Sequence, residues 1–175
     1  MRVFVGECSI DSSDSKFTQA AIRIGEYLGK NGYTYVQGNC INGMMGRTYN
    51  EFKKHSSDVV MYGMKGDELY TETVELLDTF DLRTNRIIEN CDVAIFLPGG
   101  DCTIQEIATF NQYNREHPSK HLLILINLNG FYQPLINQYQ NILDKGLNNN
   151  VNFFDSFVVV DTLEEAIEVL EKKKK

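Results

Sequence analysis

The sequence has no excess of basic residues: 17 Lys and Arg stand against 24 Asp and Glu, a formal net charge of -7. A surface of that sign repels phosphate backbones, which argues against a general nucleic-acid binder. It leaves room for a small anion, because one arginine in a cleft does not show in the total. No apolar run approaches the roughly 18 residues of a membrane span, so no membrane partner is expected. Residues 1–6 lack the long apolar stretch and small-residue cleavage site of a signal peptide. They read directly as a first strand, which predicts a cytoplasmic protein. The four cysteines, Cys8, Cys40, Cys91 and Cys102, show no C-x-x-C spacing, so free thiols are expected rather than disulfides or a metal site. No G-x-G-x-x-G follows the first strand, which disfavours a dinucleotide dehydrogenase, and no cofactor is expected. There is also no internal repeat and no linker. A single domain over residues 1–175 is predicted, with 172–175 as a frayed basic tail.

Short β-rich runs alternate with helical patterns, the sign of βαβ units. Strands are predicted at 3–5, 34–37, 59–62, 93–97, 122–126 and 157–160. Between them Phe17, Ala20, Ala21, Ile24 and Leu28 recur at helical spacing, with Asp14 or Ser15 as N-cap and Gly32 as stop. Further helices begin around Ile104, Leu135 and Leu163. The stretch 63–82 is ambiguous, and residues 70–77 fit either a short strand or an irregular crossover. The predicted fold is α/β: a Rossmann-like three-layer α/β/α arrangement with a mainly parallel sheet.

In such sheets ligands bind at the carboxyl ends of strands. Three strand-to-helix turns are polar and small: residues 6–13, 38–46 and 98–103. The last is the sharpest signal. Gly99 and Gly100 allow close backbone approach, Thr103 can cap and donate, and the helix that follows offers free N–H groups to an anion. A bare structural turn is the competing reading of the two glycines. Glu106, three residues after Thr103, either faces the same pocket or completes a capping box with Thr103. Arg83 either pairs on the surface with Asp78 or Asp81 or aims its guanidinium at a phosphate, with Arg86 as its competitor. Met44 and Met45 read as core filler more readily than as a base pocket. Cys8, Cys40 and Cys102 all fall on the ligand edge, as small side chains in glycine or serine positions rather than as metal ligands.

At these residues the chain resembles the LOG ("Lonely Guy") family, whose members hydrolyse nucleoside 5′-monophosphates to free base and ribose 5-phosphate. Plant-type members release cytokinins, and many bacterial relatives were mislabelled lysine decarboxylases. Pro98, Gly99, Gly100, Thr103 and Glu106 match the motif P-G-G-x-G-T-x-x-E, and Arg83 falls where the family places an arginine. Residues 38–46, with Gly38, Gly43 and Gly46, resemble G-G-G-x-x-G-L-M-G. Residues 127–132 resemble N-x-x-G-[FY]-[FY]. Cys102, Asn39 and Cys40 depart from family glycines, and Thr84 replaces a lysine.

The resemblance implies a phosphoribohydrolase with Arg83 and Glu106 catalytic. Gly38, Gly43, Gly46, Gly99, Gly100, Asp101, Cys102 and Thr103 would hold the nucleotide, with adenosine monophosphate or a related monophosphate as ligand. It also implies a homodimer. Glu106 would stabilise an oxocarbenium-like state or orient water, and Arg83 would meet the phosphate or the departing base. Glu7 is an alternative carboxylate. The alternative function is a non-catalytic nucleotide sensor on the same fold, to which the glycine departures point.

Overall fold

A computed structural model of the chain describes residues 1–70, 74–117, 121–148 and 152–174. In chain order the elements are β1 (Arg2–Gly6), α1 (Ser15–Lys30), β2 (Thr34–Gly38), α2 (Gly43–Lys53), β3 (Val59–Met64), β4 (Val74–Leu77), α3 (Phe80–Glu89), β5 (Val93–Phe96), α4 (Asp101–Glu116), β6 (Leu122–Ile126), α5 (Gln133–Asp144), β7 (Phe157–Val160) and α6 (Leu163–Lys174). One seven-stranded sheet runs β4-β3-β2-β1-β5-β6-β7, and each neighbouring pair is parallel. This is the Rossmann-like α/β fold.

The strands β1, β5 and β6 are largely continuous apolar runs because both faces are covered, as parallel sheets require, whereas β2 is buried with the polar Gln37 in it. On one face Val3, Val5, Tyr35, Ile95 and Ile124 pack against Phe17, Ile24 and Leu28 of α1, Met44 and Phe52 of α2 and Leu170 of α6. On the other, Phe4, Val36, Phe96 and Leu125 meet Ile87 and Ile88 of α3, Ile107 and Phe110 of α4, and the partly buried Leu135 and Ile136 of α5. The three layers follow from alternation along each strand.

The ambiguous stretch holds β4, which pairs with β3 in the register Met61↔Val74 to Met64↔Leu77. As an edge strand it buries no residue fully, so it shows neither an apolar run nor a clean alternation. The expected strand 93–97 ends at Phe96, although Leu97 N still donates to Gly6 O at 3.0 Å. Asp14 rather than Ser15 caps α1, accepting from Lys16 N at 2.9 Å, and Gly32 ends the turn with φ 69°. The tail differs from expectation: Lys172–Lys174 continue α6 instead of fraying. Lys174 Nζ donates to Asn31 O at 2.8 Å, and cations suit a helix C-terminus. The Pro118–Lys120 turn and part of the Asn148–Asn150 loop lie outside the described residues.

Asp14 also accepts from Asn129 Nδ2 at 2.8 Å, tying the start of α1 to the turn after β6. Asp14→Ala removes a cap and this tie together. It should lower stability by about 1–2 kcal/mol, read as a lower urea midpoint with an unchanged slope. An unchanged midpoint would show that the cap contributes nothing.

Candidate functional site

The strand order reverses between β1 and β5: from these adjacent strands the chain leaves to α1 on one face and α4 on the other. The loops must part there, and a crevice opens at the carboxyl ends of the two strands. It holds a cavity of about 470 Å³, lined by Glu7, Cys8, Gly38, Cys40, Met45, Phe80, Arg83, Gly100, Asp101, Cys102, Thr103 and Glu106, among others.

One wall is the start of α4. Gly100 is its N-cap, and the helical ladder opens with Ile104 N donating to Gly100 O at 3.0 Å. The amides of Asp101, Cys102 and Thr103 precede that bond and carry the positive end of the helix dipole. A Cβ on Gly100 would meet nothing within 4 Å, so the backbone is open to approach. A Cβ on Gly99 would stand 2.2 Å from Thr103 Oγ1, so this glycine is required by packing. Thr103 is not the cap expected of it. It sits inside the helix, and its hydroxyl donates to Glu7 O at 3.3 Å, stitching α4 to β1. From below, Tyr132 Oη donates to Leu97 O at 2.6 Å, and Tyr132 N donates to Asn127 Oδ1 at 2.7 Å. The Asn-x-x-Gly-Phe-Tyr segment thus holds the glycine turn in place.

The charge lies where Glu106, one turn further along α4, meets Arg83 of α3. Arg83 Nη2 donates to Glu106 Oε1 at 3.4 Å, with the two side chains only 15% and 8% exposed. The guanidinium lies 4.2 Å over the Phe80 ring, and a Cβ on Gly38 would come within 2.9 Å of Nη1. Gly38 is therefore the platform that lets Arg83 reach Glu106. Arg83 Nε is buried without a partner. Burial raises the Glu106 carboxyl to about 7 against the pull of Arg83, so it exchanges its proton near neutrality.

The surface reading of Arg83 and the capping-box reading of Glu106 both fail. Asp78 pairs with Lys65, and Asp81 accepts from Gln105 Nε2 at 3.2 Å. Arg86 lies out on the surface, bound to Glu75 and Glu89. The capping box occurs elsewhere: Glu165 Oε2 accepts from Thr162 N at 3.2 Å and Thr162 Oγ1 from Glu165 N at 3.2 Å, opening α6.

Three expected ligand glycines, Gly43, Gly46 and Gly99, do not line the main cavity. Gly43 has φ 54°, and its missing Cβ would lie 2.3 Å from Ile10 N; that of Gly46 would lie 2.0 Å from Ile41 O. They seat α2 against the loops rather than facing the crevice. Gly99 lines a smaller, more apolar cleft of about 280 Å³ with Ile10, Phe17, Met44, Pro98 and Phe131. Met44 is core, as read, whereas Met45 borders the main cavity. Cys8, Cys40 and Cys102 are free thiols on the cavity wall, and among the described residues no three His, Cys, Asp or Glu side chains are grouped to hold a metal. Asn39, Cys40 and Cys102 all avoid positive φ, which among described non-glycine residues only Asn129 adopts. Their Cβ atoms cause no left-handed strain. Phe80, Tyr35 and Thr48, which pack or bond the site's charged residues, carried no signal in the sequence.

A family profile described as possible lysine decarboxylase matches residues 31–170. No curated protein sequence matches the chain. Among solved structures, TM1055 aligns with a TM-score of 0.76 at 21% identity, over 98% of both chains. The molybdenum cofactor carrier protein of Chlamydomonas reinhardtii aligns at 0.71 and 16% identity, over 98% of this chain and 96% of that one. DNA processing protein A of Helicobacter pylori, described for its single-stranded DNA binding mode, aligns at 0.63 and 15%, over 99% and 81%. At these identities the likeness is one of fold.

The glycines separate by substitution. Gly46→Ala should destabilise the fold by about 1–3 kcal/mol through backbone overlap, whereas Gly100→Ala should stay within about 0.5 kcal/mol. Thermal melts of both variants check this, and equal losses would contradict the assignment.

Proposed function

The chain belongs to the family of possible lysine decarboxylases, the LOG family, and from that membership and the crevice geometry we propose that it hydrolyses the N-glycosidic bond of a purine-type nucleoside 5′-monophosphate. The observation that carries this reading is the buried Arg83–Glu106 pair lining the same cavity as the open N-terminus of α4. The 5′-phosphate binds the amides of Asp101, Cys102 and Thr103, with Gly100 leaving the approach clear. Phosphate binding then fixes the ribose beside Glu106.

Cleavage develops positive charge at the anomeric carbon and negative charge on the departing base. Glu106 in its ionised form stabilises the first and orients the attacking water. Arg83 is held between Phe80 and Gly38 and meets the phosphate or the leaving base. A carboxyl titrating near 7 is matched to proton transfer at neutral pH. Adenosine monophosphate is the default substrate, and a cytokinin monophosphate is the variant that the family's plant members suggest. Following the family, the protein works as a cytoplasmic homodimer, without nucleic acid and without a cofactor.

The second reading is a nucleotide carrier or sensor that does not turn its ligand over. One observation favours it. Where the family's arginine is followed by a lysine, Thr84 is buried and donates to Phe80 O at 3.1 Å, so the crevice lacks that second cation. The molybdenum cofactor carrier shows that this fold serves carriage as well.

Purified protein incubated with a panel of nucleoside monophosphates should release free base, seen by chromatography. Glu106→Gln should lose roughly 10²–10⁴-fold in turnover while still binding nucleotide, and Arg83→Ala should lose both. A fully active Glu106→Gln would refute the assignment. Binding by calorimetry with no base released from any nucleotide would establish the second reading.

A further inference from the structure

Glu7, at the end of β1, has no role in that mechanism, yet its carboxyl is buried on the wall of the same cavity. Its neighbours are hydroxyls. Thr48 Oγ1 of α2 lies 2.9 Å from Glu7 Oε2 and 3.0 Å from the Ala21 carbonyl of α1. Tyr35 Oη of β2 lies 3.3 Å from Glu7 Oε1 and 2.8 Å from Gln37 Oε1. Each hydroxyl has one proton and two acceptors within reach, so two protons serve four oxygens.

A proton on Glu7 relieves the shortage. Glu7 then donates to Thr48, which passes its own proton to Ala21 O. Turning the Gln37 amide lets Nε2, buried and without a partner, donate to Tyr35 Oη and frees the tyrosine proton for Glu7. With Glu7 ionised, Thr48 must turn its one proton from the Ala21 carbonyl to Glu7. Among the described residues no cation pairs with Glu7, and the cavity's arginine, Arg83, is paired with Glu106. Burial accordingly raises the Glu7 carboxyl to about 8 against the two hydroxyl bonds.

The residues around Glu7 fasten the ligand site. Gly6 O accepts from Leu97 N at 3.0 Å, Glu7 O from Thr103 Oγ1 at 3.3 Å and Cys8 O from Met45 N at 3.1 Å. The end of β1 therefore ties the glycine turn, α4 and α2 together.

We propose that Glu7 is a positioning residue that works as a neutral acid, locking the start of α4 against α1 and α2, and that loss of its proton weakens binding of an anionic ligand in the crevice. Ionisation acts twice: it pulls the Thr48 hydroxyl away from the Ala21 carbonyl of α1, and it places a negative charge on the wall of an anion site. The proposal rests on the phosphate-binding reading above. The other titratable groups facing the cavity are Cys8, Cys40 and Cys102, Asp101 from α4 and the Arg83–Glu106 pair, with Tyr35 on the far side of Glu7.

The test compares wild type with Glu7→Gln, which keeps the size and a donor while removing the titration. Adenosine monophosphate affinity is measured by calorimetry between about pH 7 and 9.5, above the titration of the phosphate itself. Wild type should weaken above about pH 8 with a limiting slope of about tenfold per pH unit, as release of one linked proton requires. Glu7→Gln should lack that component, and any slope it retains belongs to other groups. Identical profiles in the two proteins overturn the proposal. If the nucleotide does not bind at all, the proposed function fails, and inorganic phosphate serves as probe for the same comparison.

The proton itself is read independently of any ligand. In Glu106→Gln, with glutamate carbon-13 labelled, the infrared carbonyl band of a protonated carboxylic acid should be present at pH 7 and vanish as the pH passes about 8. Its absence at pH 7 overturns the proposal even if Glu7→Gln fails to fold.

Discussion

A parallel sheet whose strand order reverses cannot keep its connecting loops together at the reversal. Between β1 and β5 one chain segment turns up into α1 and the next turns down into α4, and the space between them is the crevice. The rest of the site depends on this parting. It exposes the amides of Asp101 to Thr103 at the α4 N-terminus and places residues 6–8 where one backbone segment bonds to β5, α4 and α2 at once. It also brings the end of β2 under the guanidinium of Arg83.

Two carboxyls are buried at this crevice, and each meets the cost of burial differently. Glu106 has a cation: burial raises its carboxyl to about 7 against the opposing pull of Arg83. Glu7 has only hydroxyls, and its carboxyl is pushed to about 8, so it keeps its proton at neutral pH. The two environments thus differ, one acid facing a cation and the other only hydroxyls. The stability consequence has a definite sign. A buried acid whose folded value lies above its unfolded one stabilises fully below the unfolded value near 4.5 and loses that contribution as pH rises toward 7 and 8.

Much of the fold was legible in the sequence because burial on both faces of a parallel sheet leaves uninterrupted apolar runs. β4 was not, since an edge strand with half-exposed side chains carries no such pattern. The site was legible in its residue types more than in its geometry. Thr103 and Glu106 have the same spacing as Thr162 and Glu165, and only tertiary partners tell them apart. The second pair caps a helix, while the first bonds the Glu7 carbonyl and the Arg83 guanidinium. Gly43 and Gly46 belong to a motif that reads as ligand-binding, yet their backbones meet other backbone rather than the cavity. The situation of Glu7 had no signal in the sequence, because Tyr35 and Thr48 lie 28 and 41 residues further along.

The central claim is that the α4 N-terminus holds the phosphate of a phosphorylated sugar whose anomeric carbon lies beside Glu106. A crystal structure of the Glu106→Gln protein soaked with adenosine monophosphate tests it most directly. The account predicts the phosphate on the amides of Asp101, Cys102 and Thr103, with the anomeric carbon beside residues 83 and 106. A nucleotide seated instead in the polar groove of Asp81, Asn85, Gln112 and Glu116 between α3 and α4 would contradict it.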